Sequence, residues 1–289
     1  MRAPASNPSP APPAGPSPKG LQPTPAPGAP IIHGVNWQGL KTLYLKEVQR
    51  FFKVQLQTIW APAITTLLFL AIFLVAIGGF KREVLGVPFA AFLAPGLIMM
   101  GMAQNSFANT LSSLIIAKVQ GTIVDVLTPP LSTSEILTAL VAGAVTRAWL
   151  VGLAIWAAML AWPGVPVGIA KPGLVLLFGT LGAAMLALMG VLTGIWAEKF
   201  DHGAAVTNFI VQPLTLLSGT FYAIDRLPPA LQTLSMANPF FYMIDGFRAG
   251  FIAVSEASPL AGALALAVLC LLLWAAAHAL FESGWKLRP

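Results

Sequence analysis

Six stretches of the chain are predominantly apolar: residues 58–80, 89–112, 136–161, 173–196, 204–222 and 259–281. A helix that crosses a bilayer needs about 20 apolar residues, so each stretch predicts a membrane-spanning helix and the fold class is an all-α integral membrane domain. A shorter, amphipathic pattern precedes them. From Asn36 to Lys53, Trp37, Leu40, Tyr44, Val48 and Phe51 recur at helical spacing, with Lys46, Arg50 and Lys53 on the opposite side. This predicts a helix lying in the membrane interface, with Asn36 as its N-cap. Six spans place both termini on the same side of the membrane.

Two connections are more than turns. Between the second and third apolar runs, Gly121 can interrupt a helix, Thr122 can cap a new one and Pro129-Pro130 stops it; Ser132 and Glu135 then form a capping box that starts the third span. The result is a short helix held between two rigid ones. Between the fifth and sixth runs, residues 223–258 are apolar yet broken by proline. Asn238-Pro239 fits the cap and first position of a helix that runs from Phe240 to Ile252. The pieces here are too short to span and too apolar for a free loop, so they predict re-entrant or interfacial outer helices, with Asp245 and Arg248 spaced to pair on one face.

Composition agrees with the pattern. Of 289 residues, 57% are hydrophobic and 9% charged, with a mean hydropathy of +0.79. Soluble domains carry about 25% charged residues, so a water-soluble enzyme is excluded. The net charge of +6 comes from Lys and Arg scattered around the apolar runs rather than from a dense block, which favours membrane lipid over nucleic acid as the partner. With the N-terminus inside, eight flanking Lys and Arg are cytoplasmic and five are external, the orientation expected of loop charges. Residues 1–34 differ from the rest: 11 of the 25 prolines fall in the first thirty positions, which predicts a disordered, Pro-rich cytoplasmic tail rather than a signal peptide. The transmembrane domain then occupies 35–289.

The interfacial helix, the six spans, "GTIVDVLTPPLSTSEI" after the second and "LSGTFYAIDRLPPALQTLSMANPFFYMIDGFRAGF" after the fifth resemble the ABC-2 type transporter permeases, and within them the bacterial permeases of nodulation-factor, polysaccharide and drug export. The resemblance covers nearly everything from about residue 35. It implies that residues 118–130 contain a coupling helix seated on a separate ATP-binding subunit, with Gly121, Thr122, Asp125, Leu127, Pro129 and Glu135 as the matching positions. It implies that Gly219, Phe221, Pro228, Asn238, Pro239, Asp245 and Arg248 belong to an outer hairpin that lids the translocation path. Relatives often carry several charges just before the Gly-Thr; here only Lys118 remains. A bacterial inner-membrane location, a homodimer of permease subunits and two copies of the ATP-binding subunit follow from the same resemblance.

The chemistry in the chain itself points the same way. No G-x-x-x-x-G-K-[ST] is present, so ATP and Mg are expected on the partner and no cofactor on this chain. The centres of the six spans contain no Asp or Glu, which disfavours a proton relay. Arg147 is the one strong charge well inside a span, either functional, or structural by snorkelling toward the cytoplasmic face or pairing with Glu135 or Glu198. Gln104, Asn105, Ser106 and Asn109 must turn inward, either bonding another helix or lining a polar path. Gly182, Gly190 and Gly194 predict close helix packing. His33, His202 and His278 are not spaced as metal ligands, Cys270 stands alone, and no G-x-S-x-G appears. The function expected is export of a lipid, lipid-linked glycan or amphipathic drug; the competing class is a membrane enzyme or scaffold without an ATPase partner.

Overall fold

The computed structural model describes residues 34–76, 83–162 and 164–287. The Pro-rich tail and Lys81 and Arg82, expected to be external, lie outside the described residues, as does Arg288. The helices from Asn36 onward form one unit.

Helix α1 spans Trp37–Phe52, and the Asn36 side chain caps it by accepting from the Gly39 N–H at 2.9 Å. Its buried face is rotated from the one the apolar spacing predicts: Phe51 is buried as expected and Leu40, Tyr44 and Val48 are half-buried. Leu43, Glu47 and Phe51 turn inward, while Trp37 is 72% exposed. Gly143 explains the rotation: a Cβ there would lie 2.9 Å from the Glu47 Cβ, so α1 approaches closely at a position where only a hydrogen atom stands, and Glu47 occupies the space.

A π-helical turn, Leu56–Trp60, leads into α2, Ala61–Ala76. A two-stranded hairpin follows, β1 (Glu83–Val84) paired with β2 (Val87–Pro88) in the register Glu83↔Pro88 and Val84↔Val87. Its two turn residues, Leu85 and Gly86, both have positive φ, 53° and 74°. Such a turn matches the twist of a tight hairpin. The helix periodicity gave no sign of this hairpin.

The axis of the fold is α3, Phe89–Val119, the longest helix at 31 residues and buried on nearly all sides. After α4 (Ile123–Leu127), α5 covers Thr133–Leu160 and α6 covers Pro172–Trp196. Helix α6 packs on α3 through small residues. A Cβ on Gly190 would sit 2.4 Å from the Phe107 carbonyl oxygen, so the backbones touch there. The closeness lets Ser106 donate to the Ala183 carbonyl at 2.6 Å and Thr110 to the Ala187 carbonyl at 2.7 Å, the interhelical glue of apolar bundles.

The fifth apolar run is shorter than its sequence suggests. Helix α7 (Phe200–Val206), a π-helical turn (Thr207–Val211) and α8 (Gln212–Leu216) form one rod of about 25 Å at 1.5 Å per residue. It stops at Leu217, ahead of Gly219 with φ 73°, so residues 217–222 of the expected span are turn. Helices α9 (Pro229–Ala237), α10 (Pro239–Ile252) and α11 (Pro259–Ser283) complete the chain. Among the described residues four helices are long and apolar enough to cross a bilayer: Leu56–Val75, Thr133–Leu160, Pro172–Trp196 and Pro259–Ser283. Helix α3 exceeds them in length, but its amides and hydroxyls dilute its apolar character.

Two apolar clusters hold the bundle. The larger surrounds α3, α5, α6 and α10; the smaller gathers Leu43, Ile123, Val126, Ile136, Phe281 and Leu287 around α4.

Candidate functional site

Three groups of side chains lie along α3: at the α4 end, midway, and at the α10 end.

At the α4 end, Gly121 has φ 70° and open space around it, the conformation that lets the chain leave α3 without a penalty at Cβ. Thr122 stands at the N-cap position of α4, but its side chain makes no cap bond, contrary to expectation: its φ and ψ of −86° and 6° are not the extended backbone that turns a capping hydroxyl toward the helix N–H groups. Ile123 and Val126 are buried, Leu127 is half-buried, and Gly121, Thr122, Asp125 and Pro129 are exposed. The helix is therefore anchored by one face and presents the other. Glu135 stands apart from these exposed residues. It is buried, and its carboxylate accepts from the Asn36 N–H and, at 2.7 Å, from the Ser132 N–H, while the Ser132 hydroxyl accepts from the Glu135 N–H at 3.3 Å. It completes the capping box and also ties α1 to α5. Asn36 further donates to the Pro130 carbonyl at 3.2 Å.

The chain's last described residues complete this end. Leu287 is 2% exposed beneath α4, and Lys286 pairs with Glu198 at 2.7 Å. The Lys286 hydrogen bond and charge hold the Glu198 carboxyl below the usual carboxylate range. Lys118 donates to the carbonyls of Ile195 and Ala197, the latter at 3.0 Å. A cavity of about 630 Å³ opens between α4 and α11, walled by Leu127, Leu131, Ile136 and Phe281.

Midway along α3, α1 delivers two charges, Arg50, which the helical spacing placed on the polar side, and Glu47, which it did not single out. Glu47 accepts from Arg50 at 2.9 Å and from the Ser113 hydroxyl at 2.8 Å. Arg50 also donates to Ser112 Oγ at 3.0 Å and to the Asn109 carbonyl at 2.8 Å and Oδ1 at 3.1 Å. Arg147 reaches the same amide, at 3.5 Å, and donates to Asn105 Oδ1 at 2.8 Å. The expected pairing of Arg147 with Glu135 or Glu198 is absent; it is held by amides of α3. Gln104 points away from its neighbour and donates to Gln212 Oε1 at 3.4 Å, as the 100° step of a helix requires. The E-x-x-R spacing of Glu47 and Arg50 was the available signal for this cluster.

At the α10 end, Asn238 caps α10 by accepting from the Phe240 N–H at 3.0 Å and donates to the Leu214 carbonyl at 2.7 Å, fastening α10 to α8. Pro239 occupies the first turn of α10, while Pro228 precedes α9. Arg248 is fully buried, its guanidinium 3.7 Å from the centre of the Phe92 ring. It donates to the Gly219 carbonyl at 2.6 Å and the Phe92 carbonyl at 3.2 Å. Arg248 does not pair with Asp245 as the spacing predicts. Glu256, from the loop before α11, stands 3.5 Å from Arg248, and Asp245 accepts from the N–H groups of Glu256 and Ala257, both at 3.0 Å. Glu256 also accepts from the Ile224 N–H at 2.6 Å, and burial raises its carboxyl above the usual range. Phe221 stacks on Phe73 at 4.8 Å.

Among the described residues no group of His, Cys, Asp and Glu is arranged to hold a metal. The arrangement offers a presented helix, a buried polar cluster and a fastened helical hairpin.

Comparison with known proteins agrees. The model of the ABC-2 type transporter family matches residues 38–252. The inner membrane transport permease YadH of Escherichia coli strain K12 is 38% identical over 220 residues, 76% of this chain and 85% of the relative. Nodulation protein J of Rhizobium leguminosarum bv. viciae is 30% identical over 173 residues, 56% of this chain and 62% of the relative. With the match running from α1 through α10, the chain belongs to the ABC-2 type transporter family, as the membrane permease component of an ABC transporter rather than its catalytic part.

Proposed function

We propose that this permease exports a lipid, lipid-linked glycan or amphipathic drug across a bacterial inner membrane, driven by ATP that a separate subunit binds with Mg and hydrolyses. The carrying observation is α4, which roots Ile123 and Val126 in the cluster shared by α1, α5 and α11 and leaves Gly121, Thr122, Asp125 and Pro129 on its open side. A push on that side moves several spans together, because they share one packed core. Two ATP-binding subunits would act on a homodimer, each closing on one α4.

A six-span topology with both ends of the domain cytoplasmic is supported by Leu43 of α1 and Leu287 sharing that cluster. Chain ends on one side need an even number of crossings, and α3 with the rod from Phe200 brings the four long apolar helices to six. On this topology α9 and α10 form the outer re-entrant hairpin.

The test is co-expression with a candidate ATP-binding subunit from the same organism. Replacing Gly121-Thr122 with bulky residues, or Asp125→Lys, is expected to abolish stimulation of partner ATPase activity while membrane insertion stays intact. Undiminished stimulation would remove α4 from the mechanism. A cysteine at Lys199 is expected to label from the cytoplasmic side; labelling from outside would overturn the topology.

A further inference from the structure

A charge buried in an apolar bundle is held by an opposite charge or costs several kcal/mol. Midway along α3, two arginines, Arg50 and Arg147, face one acid, Glu47, and Glu47 is engaged by Arg50 and Ser113. All ten acidic residues of the chain lie in its described part, yet Arg147 forms no ion pair; its partners are the neutral amides of Asn105 and Asn109. The cluster therefore carries one uncompensated positive charge.

The hydrogen-bond inventory shows the same deficit. Arg147 Nε and Asn109 Nδ2 are both buried donors without an acceptor, and the two residues are 9% and 0% exposed. Asn109 cannot relieve this by turning over, because its Oδ1 already receives both arginines. A water molecule could accept from the two donors, but it would leave the charge. An oxyanion supplies both the acceptors and the neutralisation, and a guanidinium fork suits phosphate in particular.

A route adjoins the cluster. A groove of about 300 Å³ between α2 and α3 is lined by Gln57, Thr66, Gln104 and Asn105, so the amide that holds Arg147 also walls the groove. Arg50 keeps 26% of its side chain exposed.

We propose that Arg147, Asn109 and Arg50 form a binding site for a phosphate oxyanion, reached along the α2–α3 groove. The two orphan donors are closed off in this conformation, so occupancy accompanies a parting of α2 from α3. The inference deepens the exporter reading by giving its substrate an anionic, phosphate-bearing head, and it rests on that reading only for the identity of the cargo.

The test uses the full chain alone, without any ATPase, in zwitterionic phosphatidylcholine nanodiscs, so loss of binding is separable from loss of export. The probes are dihexanoyl phosphatidic acid, dihexanoyl phosphatidylcholine and inorganic phosphate, read by thermal unfolding. Phosphatidic acid is expected to raise Tm saturably and phosphatidylcholine not to. A rise with the lipid alone assigns the site to a headgroup; a rise with inorganic phosphate as well assigns it to the bare anion. Arg147→Gln is expected to weaken the response at least tenfold, while its own Tm in neutral lipid equals or exceeds that of the wild type because an unpaired charge has gone. Asn109→Ala, which keeps both arginines, reports on the same site and is expected to weaken the response if the glutamine variant fails to insert. No response to either phosphate probe, an unchanged response in the variants, or a marked loss of Tm in Arg147→Gln would overturn the proposal.

Discussion

Arg147 and Arg248 are both buried in an apolar bundle, and their surroundings are opposite. Arg248 has a carboxylate, two backbone carbonyls and the face of Phe92 around it. Arg147 has two amide oxygens and an orphan nitrogen. Each keeps a nitrogen without a hydrogen bond, Nη1 of Arg248 and Nε of Arg147, but only Arg248 has a carboxylate beside it to balance its charge. A closed ionic site fastens a structure, whereas an open one waits for a partner. The two also differ in what they join. Arg248 gathers α3, the turn at Gly219 and the loop before α11, while Arg147 and its neighbours link α5, α3 and α1.

The strongest way to break this contrast is to remove each cation in turn. Arg248→Met leaves Glu256 buried without its counter-charge and frees two carbonyls, so we expect a loss of about 3–5 kcal/mol, read as chemical unfolding in detergent. Arg147→Gln under the same conditions is expected to cause no loss of stability and to raise it if anything, since the deleted charge was never paired. Equal losses would show that both arginines are structural.

The second comparison concerns the fastenings at the two ends of α3. Asn238 makes two bonds of different kinds, the cap of α10 and the tie to Leu214. Asn238→Ala is expected to cost about 1–3 kcal/mol and to loosen α10 from α8. Ser132→Ala removes only the cap of α5 and is expected to cost about 1 kcal/mol. Hydrogen exchange distinguishes them: the first variant should lose protection at Phe240 and Phe241, the second at Glu135 and Ile136. A larger cost at Ser132 would mean that the Glu135 carboxylate, which also holds Asn36, depends on the serine more than its geometry suggests.

How much of this was legible in the sequence follows from how local each feature is. The capping box of Ser132 and Glu135, the Asn36 cap and the Asn238-Pro239 start are rules of a few residues, and they read directly. The close packing of α6 was visible in its glycines and alanines. The inward turn of Glu47 and Arg50 was not, because it depends on Gly143 and Asn109, which lie 96 and 59 residues further along the chain from Glu47 and Arg50. The i,i+3 spacing of Asp245 and Arg248 suggested a pair, yet each found better partners in the loop at Glu256. The early end of the fifth run at Leu217 likewise came from the turn around Gly219, whose carbonyl is claimed by Arg248. Local chemistry sets the elements; the partners of buried polar groups are set by tertiary approach.

The smallest expected effect tests the two ends by pH. Burial raises the Glu256 carboxyl above its ordinary value of 4.5, outweighing the pull of Arg248. The folded state then holds a proton more tightly than the unfolded one, so stability should rise as pH falls from neutrality toward 4.5, the window between the folded and unfolded values. Glu198 is shifted the other way by Lys286. Its contribution is present above 4.5 and is lost as pH falls below that value through the lower folded one. Unfolding followed from pH 7 to 4.5 should therefore show a slope that Glu256→Gln reduces, Asp245 being a second buried carboxylate of the same cluster, and that Glu198→Gln leaves unchanged. If stability instead falls over this window, the cluster around Glu256 is held ionised by Arg248 more firmly than its burial opposes.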